Sequence, residues 1–92
     1  MFIVHDPASH CPDEWAELDA IGVESAIIAY LNSTGVHPGE NPIPFPVLVR
    51  EHGGDWQTFE VKGAMSDDGQ GAWFWRVIGR WTGRRVPPPE EQ

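Results

Sequence analysis

Residues 45–61 read FPVLVREHGGDWQTFEV, and the period of this stretch decides the fold. Phe45, Val47 and Val49 alternate with Pro46, Leu48 and Arg50. After Gly53-Gly54-Asp55, Phe59 and Val61 resume the same step of two. Strict alternation of this kind marks a strand with one buried face, and glycines between two such runs mark a hairpin. The register follows from keeping one face apolar, because a slip of one residue sends every side chain to the wrong side. A Gly-Gly turn would set Leu48 opposite Phe59 and Val47 opposite Glu60. A loop of Gly53 to Asp55 sets Val49 opposite Phe59 and Val47 opposite Val61. The second register collects Phe45, Val47, Val49, Phe59 and Val61 on one face, and it is the expected one.

Downstream, Ser66-Asp67-Asp68-Gly69-Gln70-Gly71 has the composition of a turn. Ala72 to Trp81 then forms a last strand, with Trp73, Trp75, Val77 and Trp81 on one face and Phe74, Arg76, Ile78 and Arg80 on the other. Trp75 opposite Val61 and Val77 opposite Phe59 extend the apolar face, and Gly63 across from Trp73 leaves room for an indole. Residues 84–92, with Pro87-Pro88-Pro89, cannot build a core and read as a frayed polyproline-like tail to a single domain of residues 1–83.

Upstream, Val23, Ala26, Ile27, Tyr30 and Leu31 fall at i, i+3, i+4, i+7 and i+8, one apolar stripe of a helix over about 23–33. Glu24 suits the positive end of its dipole and Gly35 its stop. Val36 to Pro46, rich in proline, is an irregular connector. Phe2-Ile3-Val4 reads as a first strand ended at Asp6-Pro7. Residues 12–21 admit two readings: Pro12-Asp13-Glu14 suits a helical first turn, whereas Ala16, Leu18 and Ala20 alternate with Glu17 and Asp19. The strand reading is preferred. The expected class is α+β, an antiparallel sheet of four to five strands with one main helix packed on one face.

The net charge of −8 is unevenly spread. Residues 1–49 hold no Lys or Arg, while Asp6, Asp13, Glu14, Glu17, Asp19, Glu24 and Glu40 all lie there. Arg50, Lys62, Arg76, Arg80, Arg84 and Arg85 all fall in the second half. An acidic half attracts basic surfaces and repels nucleic acid. The longest apolar run, Ala26 to Leu31, is far short of the ~20 residues that span a bilayer. The opening residues do not read as a secretory signal, and one cysteine, Cys11, permits no internal disulfide. A soluble protein in the reducing cytoplasm, away from membranes, is expected.

Catalytic signatures are wanting. His5, Asp6, His10 and Cys11, with His37 and His52 elsewhere, form the one metal-like cluster, but they have neither a Cys-x-x-Cys nor a His-Glu-x-x-His spacing. Cys11 as a nucleophile would need a base and a depressed pKa, and the flanking acids oppose ionisation. The glycine pairs lie between strands, not between a strand and a helix as a phosphate loop requires. No enzyme activity, no cofactor and no metal are therefore expected, with a small metal or thiol enzyme around His5, His10 and Cys11 as the minor alternative.

The opening resembles small phage and mobile-element accessory proteins, including anti-CRISPR inhibitors. The resemblance lies in Phe2-Ile3-Val4, then Glu17-Leu18-Asp19-Ala20, then the helix Glu24-Ser-Ala-Ile-Ile-Ala-Tyr-Leu31, about the first third of the chain. It implies a compact non-enzymatic protein that blocks a host complex through an acidic or mixed-charge surface, and it assigns no functional residue. The strand phase independently proposes a contact surface. Leu48, Arg50, Thr58, Glu60, Lys62, Phe74, Arg76, Ile78 and Arg80 are expected on the face away from the helix. Arg50, Lys62, Phe74, Arg76, Ile78 and Arg80 are its partner-binding candidates, since arginine among apolar groups is typical of interface hot spots. The partner is expected to be a protein, with nucleic acid or another anionic ligand as the alternative for the same basic face.

Overall fold

A computed structural model describes residues 1–7, 16–67 and 71–88. Strands β1 (Phe2–His5), β2 (Ala16–Leu18), β3 (Phe45–Glu51), β4 (Gln57–Met65) and β5 (Trp73–Arg80) form one antiparallel sheet in the order β2-β1-β3-β4-β5. The helix α1 (Val23–Ser33) lies across one face. This is the α+β architecture expected from the period. Ala16–Leu18 is a strand paired with β1, as the alternation of residues 16–20 indicated. The connector from Val36 to Pro44 is irregular apart from a single 3-10 turn, Pro38–Glu40.

The core follows from the two periods meeting. Ala26, Ile27, Tyr30 and Leu31 of α1 bury against Phe2, Val4, Val47, Val49, Val61 and Trp75, with Phe45, Phe59 and Val77 packed at the margin. The helix closes without glycine at its last turn: the Thr34 N–H donates to the Leu31 carbonyl at 3.3 Å and the Thr34 hydroxyl donates to the same oxygen at 2.7 Å. Gly35 then takes φ +78, the left-handed backbone that releases the chain into the connector.

Both hairpin registers differ from expectation by two residues while keeping the face. Val47 pairs with Phe59 and Phe45 with Val61, not Val49 with Phe59 and Val47 with Val61. The cause is the turn. Gly53 adopts φ +83 and the Gly54 N–H donates to the Glu51 carbonyl at 2.7 Å, so the loop centres on Gly53 and not Gly54. Moving the centre by one residue moves the pairing by two. Between β4 and β5, Val61 pairs with Val77 and Gly63 with Trp75, where Trp75 opposite Val61 and Trp73 opposite Gly63 were expected. Here the Ser66 N–H closes the hairpin on the Ala72 carbonyl at 2.7 Å.

A β-bulge adds a second correction. Val61 pairs with Val77 but Glu60 pairs with Gly79, so Ile78 is an extra residue on β5. One inserted residue inverts the phase beyond it. Arg80 therefore pairs with Phe59 and sets its guanidinium over the Phe59 ring at 5.7 Å, on the side opposite to the one its alternation predicted. Trp81, expected in the row of Trp75, bonds through its N–H to the Thr58 carbonyl at 3.0 Å.

The face away from α1 is not uniformly open. Leu48, expected on an exposed contact face, is 1% exposed, and its neighbours in β1, Ile3 and His5, are buried with it. Thr58, Glu60 and Lys62 on β4 are half-buried. Phe74 and Ile78 on β5 are each 45% exposed, and Arg76 between them is exposed. Exposure thus rises strand by strand from β1 to β5. Residues 84–88 have no regular structure, although Val86 and Pro88 are half-buried and the Trp81 indole N–H donates to the Arg84 carbonyl at 2.9 Å. Among the described residues, no helix is long and apolar enough to cross a membrane.

Candidate functional site

Only part of the predicted basic face comes together. Lys62 pairs directly with Arg76, and Phe74 and Ile78 flank Arg76 two residues away along β5. Among the described residues, neither Lys62 nor Arg76 meets a carboxylate at salt-bridge distance. Arg50 stands apart. It lies at the far end of β3, paired with Ile3, and its guanidinium stacks over the Trp56 ring at 5.3 Å. Trp56, just before β4, and Lys62 are six residue steps apart, about 20 Å at the rise of an extended strand. Arg80 is removed by the bulge. The assembled group is Lys62, Phe74, Arg76 and Ile78.

These side chains stand on an edge. Among the described residues the strand order ends at β5, and no other strand pairs with one flank of its backbone. Eight residues make it longer than edges that are protected by brevity. The bulge at Ile78 adds local twist, and Arg76 supplies charge. Both are devices that limit indiscriminate pairing without covering the strand.

A second feature lies on the other side. A cleft of about 580 Å³ opens between the end of α1, the connector and β5. Tyr30 and Leu31 line it from the helix, Ile43 and Pro44 from the connector, and Phe45 and Trp75 from the sheet. Its construction depends on Gly63. Trp75 lies opposite Gly63, and the Pro38 backbone fills the place where a Gly63 side chain would stand. The Gly63 N–H donates to the Asn41 carbonyl at 2.8 Å, so the connector is tied to β4 beyond the point where β3 begins. Phe45 and Trp75 then meet edge to face, with centroids 5.8 Å apart and planes at 83°. The Trp75 indole N–H is buried without a hydrogen-bond partner among the described residues. Sequence reading missed this cleft. Its only signal was the proline run Pro42-Ile43-Pro44, which holds an exposed isoleucine away from the core.

The metal-like residues are dispersed where they are described. His5 is buried in β1. The His37 ring accepts a hydrogen bond from the Gly39 N–H at 2.9 Å at the start of the 3-10 turn. His52 is exposed in the β3–β4 turn. Among the described residues, no group of three or more His, Cys, Asp or Glu could hold a metal ion, and His10 and Cys11 lie outside those residues. No family model matches the chain, and no curated protein or solved structure matches it either.

Proposed function

We propose that this chain is a non-enzymatic protein-binding domain, of the accessory or inhibitor kind, whose contact surface is the exposed face and open edge of β5. The observation that carries the reading is the pairing of Lys62 with Arg76, like charges directly opposite on neighbouring strands, beside exposed Phe74 and Ile78. Like charges in that relation destabilise a sheet, by ~0.2–1 kcal/mol on the scale of cross-strand pairs. The fold thus gains nothing from this arrangement, whereas an acidic partner would. An unpaired strand edge takes an extended segment by backbone hydrogen bonding, with alternate side chains supplying specificity. The favoured partner is therefore an extended acidic polypeptide segment. That the partner belongs to a host defence complex rests on the resemblance of the first third of the chain to anti-CRISPR inhibitors.

A titration of the isotopically labelled protein with a peptide of alternating glutamate and valine tests the reading. Amide signals of β5 and Lys62 should shift saturably, and added salt should weaken the effect. A lysine–valine peptide should have no such effect. Equal shifts with both peptides, or none with either, would overturn it. Selective binding of single-stranded oligothymidylate in place of the acidic peptide would transfer the surface to nucleic acid.

A further inference from the structure

We infer that β5 takes its partner as an added antiparallel strand, bonded to the backbone of Trp73, Trp75 and Val77, and that the segment it reads is an acidic residue with apolar residues two positions to either side. This rests on the reading of β5 as a surface for an acidic partner, and it names the segment that docks there. The phase comes from the hairpin. Antiparallel partners alternate between pairs that exchange both backbone hydrogen bonds and pairs that exchange none. Ser66 and Ala72 continue the register of Met65 with Trp73, and the Ser66 N–H donates to the Ala72 carbonyl at 2.7 Å, so theirs is a bonded pair. By the same alternation Ala64–Phe74 and Lys62–Arg76 are bonded pairs. Gly63 and Trp75, between them, exchange no bonds, and the Gly63 N–H indeed donates away from β5, to the Asn41 carbonyl at 2.8 Å. The N–H and C=O groups of Phe74 and Arg76 are thus engaged with β4, whereas those of Trp73, Trp75 and Val77 point to the outer flank. Side chains sort in the same step: Trp75 is buried in the core, and Phe74 and Arg76 are exposed.

An antiparallel strand on that flank bonds to Trp73, Trp75 and Val77. Its residues opposite Phe74 and Arg76 then fall in unbonded pairs, where Cα atoms approach to about 4.5 Å against about 5.5 Å in bonded ones. A carboxylate opposite Arg76 meets the guanidinium at the closest approach a sheet offers, with Lys62 on the far side of Arg76 adding to the attraction. Phe74 and Ile78, each 45% exposed, set the apolar positions on either side of it. A parallel strand has evenly spaced bonds and no such close pair. The bulge at Ile78 ends the regular ladder, so the segment read is short.

The probe is the end-blocked peptide Thr-Val-Thr-Glu-Thr-Val-Thr, titrated into the labelled full chain. In the inferred phase the two threonines beside glutamate donate their N–H groups to the Trp75 and Val77 carbonyls, and the glutamate N–H points away from β5. N-methylation of both threonines should weaken binding by about tenfold or more, and N-methylation of glutamate by no more than about twofold. Binding should slow hydrogen exchange at the Trp73, Trp75 and Val77 amides and leave Phe74 and Arg76 unchanged. The isomer Thr-Glu-Thr-Val-Thr-Val-Thr should bind severalfold more weakly. Glutamate-dependent binding indifferent to both methylations would overturn the added strand while leaving β5 as a surface for an acidic partner. Loss on methylating glutamate and not the threonines would mean a parallel strand and overturn the inference as well. Equal affinity for the isomer would overturn the side-chain pattern. No binding of this peptide would overturn the whole inference, and failure of the alternating glutamate–valine peptide alongside it would remove the functional reading too.

Discussion

The carbonyl of Pro38 occupies the space into which a Gly63 Cβ would project, so the 3-10 turn rests on β4 only because residue 63 has no side chain. Gly63→Ala therefore forces the turn off the sheet, and it should cost about 1–3 kcal/mol or more, the usual range for overpacking. Gly79 provides the contrast. It has nothing within 4 Å of its absent Cβ, and Gly79→Ala should be neutral or stabilise by up to ~1 kcal/mol through reduced chain entropy. Denaturant melts of the two variants check this. Equal losses would mean that the turn does not sit on Gly63.

The bulge at Ile78 makes a second claim that can be measured. Arg80 and Phe59 are in cation–π contact at 5.7 Å, and such pairs at open sites contribute ~0.5–1 kcal/mol. A double-mutant cycle with Arg80→Gln and Phe59→Leu should return a coupling of about that size. Strict additivity would put Arg80 back on the opposite face, where unbroken alternation had placed it.

What was legible in the sequence is what periodicity carries. The stripe Val23–Ala26–Ile27–Tyr30–Leu31 and the row Phe45–Val47–Val49 needed no distant information, because side-chain spacing alone assigns them to a face. The hairpin registers were less legible. Gly53 and Gly54 could each centre the turn, and the left-handed backbone of Gly53 with the hydrogen bond from Gly54 to Glu51 distinguishes them. The bulge left no mark, since one extra residue on β5 alters neither composition nor local period. Alternation also says which face Leu48, Ile3 and His5 point to but not that the face is closed there, so the contact surface was drawn too wide. Of its members, Lys62, Phe74, Arg76 and Ile78 stay together, whereas Arg50 and Arg80 do not. The cleft joins residues 6, 30–45 and 75, which only the tertiary fold brings near one another.

Ile27 is fully buried at the centre of the helix stripe, in the same core cluster as Phe2, Val4, Val47 and Val61. Ile27→Ala should cost ~2–5 kcal/mol, a large share of the stability of so small a domain. Ile28, one position along and half-buried, should tolerate alanine with a clearly smaller loss. Equal melting midpoints for the two variants would mean that α1 is rotated from the placement described.

Arg76→Glu separates stability from binding. Placing glutamate opposite Lys62 converts a like-charge pair into an opposite-charge pair, so thermal or chemical melts should show no loss and a gain of up to ~1 kcal/mol. A substantial destabilisation would show that Arg76 supports the fold, and the case for a surface held against the sheet's own preference would fall with it.

The ratio of dissociation constants of the alternating glutamate–valine peptide for the unmodified chain and for Arg76→Glu tests the central claim most directly. The account predicts saturable binding to the unmodified chain, mapped to Phe74, Ile78 and their β5 neighbours, and at least tenfold weaker binding to a variant that is folded and no less stable. Undiminished affinity in Arg76→Glu, or the absence of binding by the unmodified chain, would contradict the assignment of β5 as the site of an acidic partner.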